Sequence, residues 1–412
     1  MIGRIKEEYL KLPKDVVITP MKEHLRYFPV VDDKNRLLPY FITIRNGNNE
    51  YIDIVAKGNE KVLGARLEDA KFFFNDDISI PLESYVDELK GIIFQEKLGT
   101  LYDKTLRIQK LSEKIGTYLE IGEETQNNLD RAAYLAKADL VTKMVTEFTE
   151  LQGVLGMEFS GDQLPTTTAG AILSIADKLD TIIGMFAINI QPTGSQDPFG
   201  LRRSALGIIN IILDKKLNLS LGELIDFALY IYADEMGLVF NYKKVKSNIN
   251  DFFIGRIKSI FADMKIRYDV IEAVLCADTN HIYDMKIKAE KINSWLDNAD
   301  LSEVLQVFNR VSTLALNTDS SEVKRDLLSD EGILLYDSYN NIEEKVLGFI
   351  EKKEYDKSLD TFVSLKGPID NFLDNVMVMV DDIDLRNNRL ALLRKIYDTM
   401  MLVCDLSKLI NK

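Results

Sequence analysis

With 412 residues the chain is long enough for about two to four domains, and 51 Lys and Arg against 65 Asp and Glu leave a formal net charge of −14. Because a protein of this charge is repelled by RNA and by anionic membranes, contact with RNA must come from local basic patches. Two histidines and two cysteines exclude histidine-rich metal sites and a disulfide framework. The lack of a signal peptide or a long apolar run predicts a cytoplasmic protein without a membrane partner.

The N-terminal region, residues 1–90, mixes segments of β type with turns. The strand candidates are RYFPVV, YFITIR and YIDIVA, and turns are predicted at Asp32–Asn35 and at Asn46–Gly47. The pair Asn46–Gly47 is typical of a hairpin because Gly supplies a positive φ. The block GNEKVLGARLEDAKFFF predicts a helix, since its apolar residues recur near helical spacing. We therefore expect a small α+β region.

Residues 91–217 predict a bundle of helices. One apolar stripe consists of Ile108, Leu111, Ile115 and Leu119. The basic residues that this stripe leaves to one side are Lys104, Arg107, Lys110 and Lys114. In the next helix, one face is predicted to carry Ala132, Leu135, Ala136, Asp139 and Lys143. An aspartate on an apolar face requires a partner.

The helix LSIADKLDTIIGMFAI is almost wholly apolar, yet it carries two aspartates. A carboxylate in such a helix costs several kcal/mol unless it is neutralised, so Asp177 must face a metal, a cation or a polar niche. In the turn that follows, Asp197 is placed to cap a new helix and Pro198 suits the first helical position. A helix from Phe199 would present Arg202 and Arg203 in its first turn.

The C-terminal region, residues 319–412, follows a helical linking region at residues 218–318. Its last helix is predicted to bury Leu385, Leu392, Ile396, Met400 and Val403. Three acids, Asp381, Asp382 and Asp384, lie near the start of that helix, where the positive end of the helix dipole favours negative charge. Four basic residues follow with no acid between them, namely Arg386, Arg389, Arg394 and Lys395. Such a patch suits RNA, whereas a solvated face paired with neighbouring acids is the alternative.

Several blocks of this chain, taken in order, resemble the beta subunit of bacterial glycyl-tRNA synthetase. The most specific is the ADKLD helix followed by PTGSQDPFGLRR. The others are GNEKVLGARLEDAKFFFNDD, DKTLRI, KADLVTKMVTEFTELQG and FLDNVMVMVDDIDLRNNRLALL. The resemblance spans nearly the whole chain. Because the chain starts inside the family pattern, we expect it to lack the N-terminal region of that subunit.

The resemblance implies a mainly α, multidomain fold. A small α+β region, residues 1–90, would precede a degenerate HD-type helical bundle at residues 91–217. After the linking region, residues 319–412 would form a helical anticodon-binding domain of the DALR type. Three features depart from the family pattern. Gly64 stands where a larger, often basic residue is usual, and Gly200 stands where alanine is more frequent, which weakens a helix interior by up to ~1 kcal/mol. The connection at residues 156–162 is short.

The HD resemblance implies four degenerate positions. Lys104 and Ala138 lie where histidine ligands would be expected, so that Asp139 and Asp177 are the surviving carboxylates. Two carboxylates without imidazole make a poor transition-metal site, and no metal is expected. Our hypothesis is that Lys104 or Lys143 replaces the metal as the counter-charge of Asp139 and Asp177. The alternative is that both aspartates are ordinary hydrogen-bond anchors between helices.

The function implied by the resemblance is to bind and orient tRNA(Gly), while a separate alpha subunit activates glycine with ATP and transfers it. This chain would then be a non-catalytic ligase subunit, inactive alone, with no cofactor, and ATP and magnesium would bind the alpha subunit. DNA is not an expected partner. The residues predicted to contact tRNA are Arg386, Arg389, Arg394, Lys395, Arg310, Arg202 and Lys104.

Two alternatives from other classes stay open. A metal-dependent HD phosphohydrolase would use Asp139 and Asp177 to hold a metal that activates water. A scaffold made for protein contacts alone would bind the alpha subunit and ignore RNA. The salt dependence of RNA binding separates the scaffold from a true RNA-binding protein, because phosphate contacts weaken steeply as salt rises.

Overall fold

The computed structural model describes residues 1–47, 50–152, 164–297 and 302–410. The short connection at residues 156–162 lies outside these ranges. The chain divides into two compact units, an N-terminal unit, Met1–Asp180, and a C-terminal unit, Thr181–Lys412. Both are mainly helical, which confirms the predicted fold class. The finer division into four regions stays a prediction.

Helices form most of the N-terminal unit. They are α1 (Lys14–Thr19), α2 (Ile52–Asp77), α3 (Leu101–Tyr118), α4 (Glu123–Leu135), α5 (Lys143–Glu147) and α6 (Thr168–Ala187), whose last residues belong to the C-terminal unit. Helix α3 begins with a capping box, in which the Thr100 hydroxyl accepts from the Asp103 backbone N–H and the Asp103 carboxylate accepts from the Thr100 backbone N–H. This cap fixes the start of the helix that carries Lys104.

Two small antiparallel sheets complete the N-terminal unit. The first has the strand order β1 (Ile2–Arg4), β3 (Leu37–Ile42), β2 (Phe28–Val31), and the second pairs β4 (Ile93–Gln95) with β5 (Gly99–Thr100). Strands β2 and β3 are joined through the predicted turn Asp32–Asn35, where the Asp32 carboxylate accepts backbone N–H bonds from Lys34 and Arg36. Buried Phe41 of β3 shares a core with Leu63 of α2.

Two predictions for this region are wrong. The segment YIDIVA was predicted to be a strand, yet Ile52 begins helix α2, and Asn46–Gly47 therefore precedes a helix rather than turning a hairpin. The β-branched residues of YIDIVA favour strands only weakly, and the buried face formed further along by Leu63, Leu67 and Ala70 decides for the helix.

The predicted continuous helix through residues 132–143 is also wrong. Helix α4 ends at Leu135, and a 3-10 helix, Ala138–Val141, separates it from α5. The Thr142 hydroxyl accepts from the backbone N–H of Val145 and caps α5. Asp139 and Lys143 therefore lie on different elements, and the four-residue spacing between them does not bring their side chains together.

The C-terminal unit is built from helices. They are α7 (Leu201–Asp214), α8 (Leu221–Tyr230), α9 (Tyr242–Asp263), α10 (Tyr268–Ala277), α11 (Ile282–Asp297), α12 (Ser302–Ala315), α13 (Asp330–Glu351), α14 (Tyr355–Val363), α15 (Lys366–Asn375) and α16 (Ile383–Met401). Helices α12 and α16 pack against each other, and α13 packs against α14 and α15. Among the residues that the structure describes, no helix is both long and apolar enough to span a bilayer.

Helix α7 starts two residues later than predicted. The Asp197 carboxylate accepts the backbone N–H groups of Leu201, at 2.8 Å, and Arg202, at 2.9 Å, which confirms its predicted capping role. Gly200 precedes the helix with φ +62°. Since this left-handed conformation favours glycine, the penalty expected for a glycine inside the helix does not apply.

Helix α16 follows its predicted pattern closely. The Asp382 carboxylate accepts the backbone N–H groups of Asp384 and Leu385, so the acidic cluster does cap the helix. The predicted inward residues that are buried are Leu392, Ile396, Met400 and Val403. Leu385, in the first turn, is half-buried.

Candidate nucleic-acid interface and a buried charge cluster

A buried cluster of charges joins α3 to α6 in the N-terminal unit. Lys104 and Arg107 are each 3% exposed, and Asp180 is fully buried. Asp180 accepts from Arg107 Nε through Oδ1, at 2.7 Å, and from Lys104 Nζ through Oδ2, at 3.1 Å. Lys104 Nζ also lies 2.9 Å from Asp177 Oδ1. Each charge is therefore matched inside the cluster, as burial requires.

Lys137 completes the cluster from the segment after α4. Its Nζ donates to Asp177 Oδ2 over 2.7 Å. Burial raises the pKa of Asp177, but the charges of Lys104 and Lys137 more than offset this effect and hold the pKa below its ordinary value. Asp177 therefore stays ionised, and both of its oxygens lie within ion-pair distance of an ammonium group.

We predicted that Lys104 or Lys143 supplies the counter-charge of Asp139 and Asp177. The prediction is confirmed for Lys104 with Asp177 and is wrong for Lys143. Lys104 does pair with Asp177. Lys143 instead pairs with Asp76 on α2.

Asp139 lines a cavity of about 480 Å³, together with Lys137 and Asp177. In the described ranges no three His, Cys, Asp or Glu side chains lie together as a metal site would need. Ala138, at a degenerate HD position, is fully buried beside Tyr85 and Leu89.

The sequence prediction missed three members of this cluster. Arg107 was expected beside the apolar stripe of α3 but is buried, while Asp180 and Lys137 were not singled out. A signal was present. Lys104 and Arg107 are three residues apart, as are Asp177 and Asp180, so each pair shares a helix face. Two basic residues on one helix and two acids on an apolar one predict mutual pairing.

A second feature is an open groove in the C-terminal unit, between α12 and the segment 376–379 that follows α15. Its volume is about 640 Å³. The polar wall is formed by side chains of α12, namely Gln306, Asn309, Arg310 and Thr313. The opposite, apolar wall is formed by Val376, Met377, Val378 and Met379, with Leu314 and Leu373 nearby. Met377 is 74% exposed and Met379 53% exposed, which leaves flexible thioether side chains at the surface.

Arginines of α16 support the apolar wall of this groove. Arg389 Nη1 donates to the carbonyl of Met377 over 2.9 Å, and Arg386 Nη1 donates to the carbonyl of Val380 over 3.5 Å. On the polar wall, Arg310 pairs with Asp374 at 3.0 Å. The segment 376–380 contains no helix or strand of its own, and the two bonds from α16 tie its backbone to that helix.

Two amide side chains on the polar wall, Gln306 and Asn309, are available to a ligand. Within the part of the chain that the structure describes, the side chains of Gln306 and Asn309 make no hydrogen bond, and both residues are exposed. Each amide offers two N–H donors and a carbonyl acceptor. The groove therefore pairs unused hydrogen-bonding groups with an apolar surface opposite, an arrangement that suits a flat ring with polar edges.

Comparison with models of protein families shows to which family this chain belongs. The family model described as glycyl-tRNA synthetase beta subunit matches residues 1–160 and 157–276. The chain belongs to this family. A second model, described as the DALR anticodon binding domain, matches residues 304–406 and so includes the groove and α16.

Sequence identity to individual members of the family supports this membership. The glycine–tRNA ligase beta subunit of Clostridioides difficile (strain 630) is 48% identical over 433 residues, covering 100% of this chain and 62% of that protein. The beta subunits of Desulforamulus reducens and Bacillus subtilis (strain 168) are 41% and 37% identical, with the same coverage. The chain thus spans about 62% of the length of the curated relatives that it matches.

The four basic residues of α16 predicted to form one RNA patch have different partners. Arg386 and Arg389 donate to the carbonyls of Val380 and Met377, whereas Arg394 Nε donates to Asp398 over 2.6 Å and Arg394 Nη1 to the carbonyl of Thr318 over 2.7 Å. Lys395 Nζ lies 3.4 Å from Glu343 and 5.1 Å from the ring centre of Tyr339. Residues of one helix rotate by about 100° per position, so Arg386 and Lys395 point in opposite directions. One continuous patch does not form.

The other residues predicted to contact tRNA lie in different parts of the chain. Arg310 lines the polar wall of the groove. Arg202 lies in the first turn of α7, outside the residues that match the DALR model. Lys104 is buried among carboxylates, and a phosphate cannot reach it without breaking those ion pairs. This corrects the expectation that Lys104 contacts RNA.

Proposed function

We propose that this chain binds tRNA(Gly) and orients it for ATP-dependent glycylation by a separate alpha subunit. The observation that carries the proposal is the groove of α12, whose amides are unused, within the residues matched by the DALR anticodon binding model. The reaction comes from the relatives, which are named glycine–tRNA ligase beta subunits. That name also implies an alpha subunit as partner.

The chemistry of the groove favours single-stranded RNA over a duplex. Sequence-specific RNA recognition targets unstacked bases, which can stack on side chains and offer their edges to hydrogen bonds. Gln306 and Asn309 can read such an edge, and Met377 and Met379 can cover the face of the base, because thioethers pack well against aromatic rings. Anticodon loops present unstacked bases of this kind. We therefore place an unpaired nucleotide of the tRNA in the groove.

The catalytic groups belong, in this proposal, to the alpha subunit. We assign no catalytic residue, ATP site or magnesium site to this chain. The phosphohydrolase alternative is not favoured, because Asp177, one of the two carboxylates that would hold the metal, already pairs with Lys104 and Lys137. The scaffold alternative is not favoured either, because it gives no role to an anticodon-binding match or to exposed, unused amides.

The test compares binding of tRNA(Gly) and of a tRNA with a different anticodon at one fixed salt concentration. We expect the wild-type chain to prefer tRNA(Gly) and the double variant Gln306→Ala, Asn309→Ala to lose that preference. The matched control is Asn340→Ala, Asn341→Ala, which removes two exposed amides of α13 that do not line the groove. Equal binding of both tRNAs by the wild-type chain, or an unchanged preference in the groove variant, would contradict the proposal.

A further inference from the structure

Two arginines of the C-terminal unit, Arg202 in α7 and Arg256 in α9, are not used in ion pairs. Within the described ranges neither lies within 4 Å of a carboxylate, although both are half-buried and their helices pack together. Arg267 and Arg325 of this unit do have such partners, Asp269 and Asp337, and Arg386 and Arg389 bond backbone carbonyls. In a chain with a net charge of −14, cations held away from carboxylates need an explanation.

The guanidinium of Arg256 is held in a fixed position. Its Cζ lies 3.8 Å from the ring centre of Phe252, and its Nη1 donates to the Phe252 carbonyl over 2.7 Å. The Phe252 ring in turn packs on Phe186, with 5.1 Å between ring centres. A stacked guanidinium still has N–H groups to offer, and because it is already ordered it loses little entropy when it binds a ligand.

The carboxylate of Asp197, just before α7, bonds the backbone there and not either guanidinium group. Asp197 uses one oxygen for the backbone N–H of Leu201 and the other for that of Arg202. The first turn of α7 contains no acidic residue, so the positive end of its dipole adds to the two arginines. Burial and the charge of Arg202 lower the pKa of Arg256, against a smaller opposing effect of Asp197. An anion near both guanidinium groups would relieve this repulsion.

We propose that Arg202 and Arg256 together bind a phosphate group of the tRNA backbone. This inference rests on the proposed function and adds a contact outside residues 304–406, the range matched by the anticodon-binding model. Arginine suits the role because its planar fork can donate two hydrogen bonds to one phosphate. A contact of this kind carries no sequence information, so it fixes the position of the tRNA while the groove distinguishes its bases.

The experiment measures how binding of the full chain to tRNA(Gly) and to a mismatched tRNA depends on salt. In a plot of log binding constant against log salt, losing one phosphate contact lowers the slope by about 0.7–0.9. We expect this change in Arg202→Gln and in Arg256→Gln, with the two tRNAs weakened by the same factor. The matched control is Arg325→Gln, which removes an arginine that Asp337 already pairs. Unchanged slopes in both variants would overturn the inference.

Further outcomes of this experiment distinguish a failure of the phosphate site from a failure of the proposed function on which it rests. If the wild-type chain binds neither tRNA, the proposed function fails. If the groove variant loses the preference for tRNA(Gly) while Arg202→Gln and Arg256→Gln leave the salt slope unchanged, the phosphate site alone fails. Inorganic phosphate tests the other source of the same chemistry. If phosphate raises the unfolding temperature of the wild-type chain but not of Arg256→Gln, while the RNA slope stays unchanged, the pair binds a free phosphate compound and not RNA.

Discussion

The buried charge cluster of the N-terminal unit and the groove of the C-terminal unit use their polar residues in opposite ways. In the cluster, Asp180 is fully buried and is bound by both Lys104 and Arg107. In the groove, Gln306 and Asn309 are exposed and make no hydrogen bond within the described residues. The cluster satisfies its own charges and stabilises the fold, whereas the groove leaves its hydrogen-bonding groups for a ligand. Burial and partnering, more than the presence of charge, therefore distinguish the two roles.

The largest expected effect is the loss of Asp180 from the cluster. In Asp180→Asn the cations Lys104 and Arg107 stay buried with less compensation, so we expect the free energy of unfolding to fall by about 3–5 kcal/mol. Urea unfolding measures this change. The control is Asp76→Asn, which removes the surface partner of Lys143 and should cost far less. Similar losses in the two variants would mean that the cluster is no more structural than a surface ion pair.

The stability of the fold measured over a series of pH values tests the structural role of Asp177. Its pKa in the folded chain lies below the ordinary value of 3.8, so its contribution to stability is fully present above that value and is lost as pH falls below it. At neutral pH we expect Asp177→Asn to cost about 1–3 kcal/mol, since it weakens charged hydrogen bonds. The difference between wild type and variant should shrink below about pH 4. A difference that stays constant down to pH 3 would contradict this assignment.

Replacement of Arg389 should separate binding from stability. Arg389→Met removes the bond to the Met377 carbonyl but also removes a buried Nε that has no partner, so the two effects on stability oppose each other. We expect the free energy of unfolding to change by less than about 1 kcal/mol, while tRNA(Gly) binding weakens because the apolar wall loses its support. Binding that stays at the wild-type level would show that this wall does not contact RNA.

The smallest expected effect comes from the exposed sulfur at the groove. Met377→Ala should leave the free energy of unfolding unchanged within about 0.5 kcal/mol, as is usual for an exposed residue. Binding of tRNA(Gly) should weaken by about 0.3–1.5 kcal/mol, the range for sulfur–aromatic contacts. The control is Met264→Ala, which removes a partly exposed methionine outside the groove. Equal binding by both variants would remove Met377 from the interface.

The two regions also differ in how far their residues could be predicted. The need of Asp177 for a cation follows from its apolar helix, and Lys104 was named as a candidate. Asp180 escaped notice because helical spacing alone does not tell which of two aspartates is fully buried. The groove could not be predicted, since its apolar wall is a segment without helix or strand. The place of that segment opposite Gln306 depends on tertiary contacts such as the bond from Arg389 to Met377.

The most direct test of the division between a structural cluster and a binding groove is the ratio of dissociation constants for tRNA(Gly) and a tRNA with another anticodon. It is measured on the wild-type chain, on Asp177→Asn and on Gln306→Ala, Asn309→Ala, each first shown to be folded. We expect the first two to share one ratio and the groove variant to approach a ratio of one. A ratio lost in Asp177→Asn and kept in the groove variant would contradict the division.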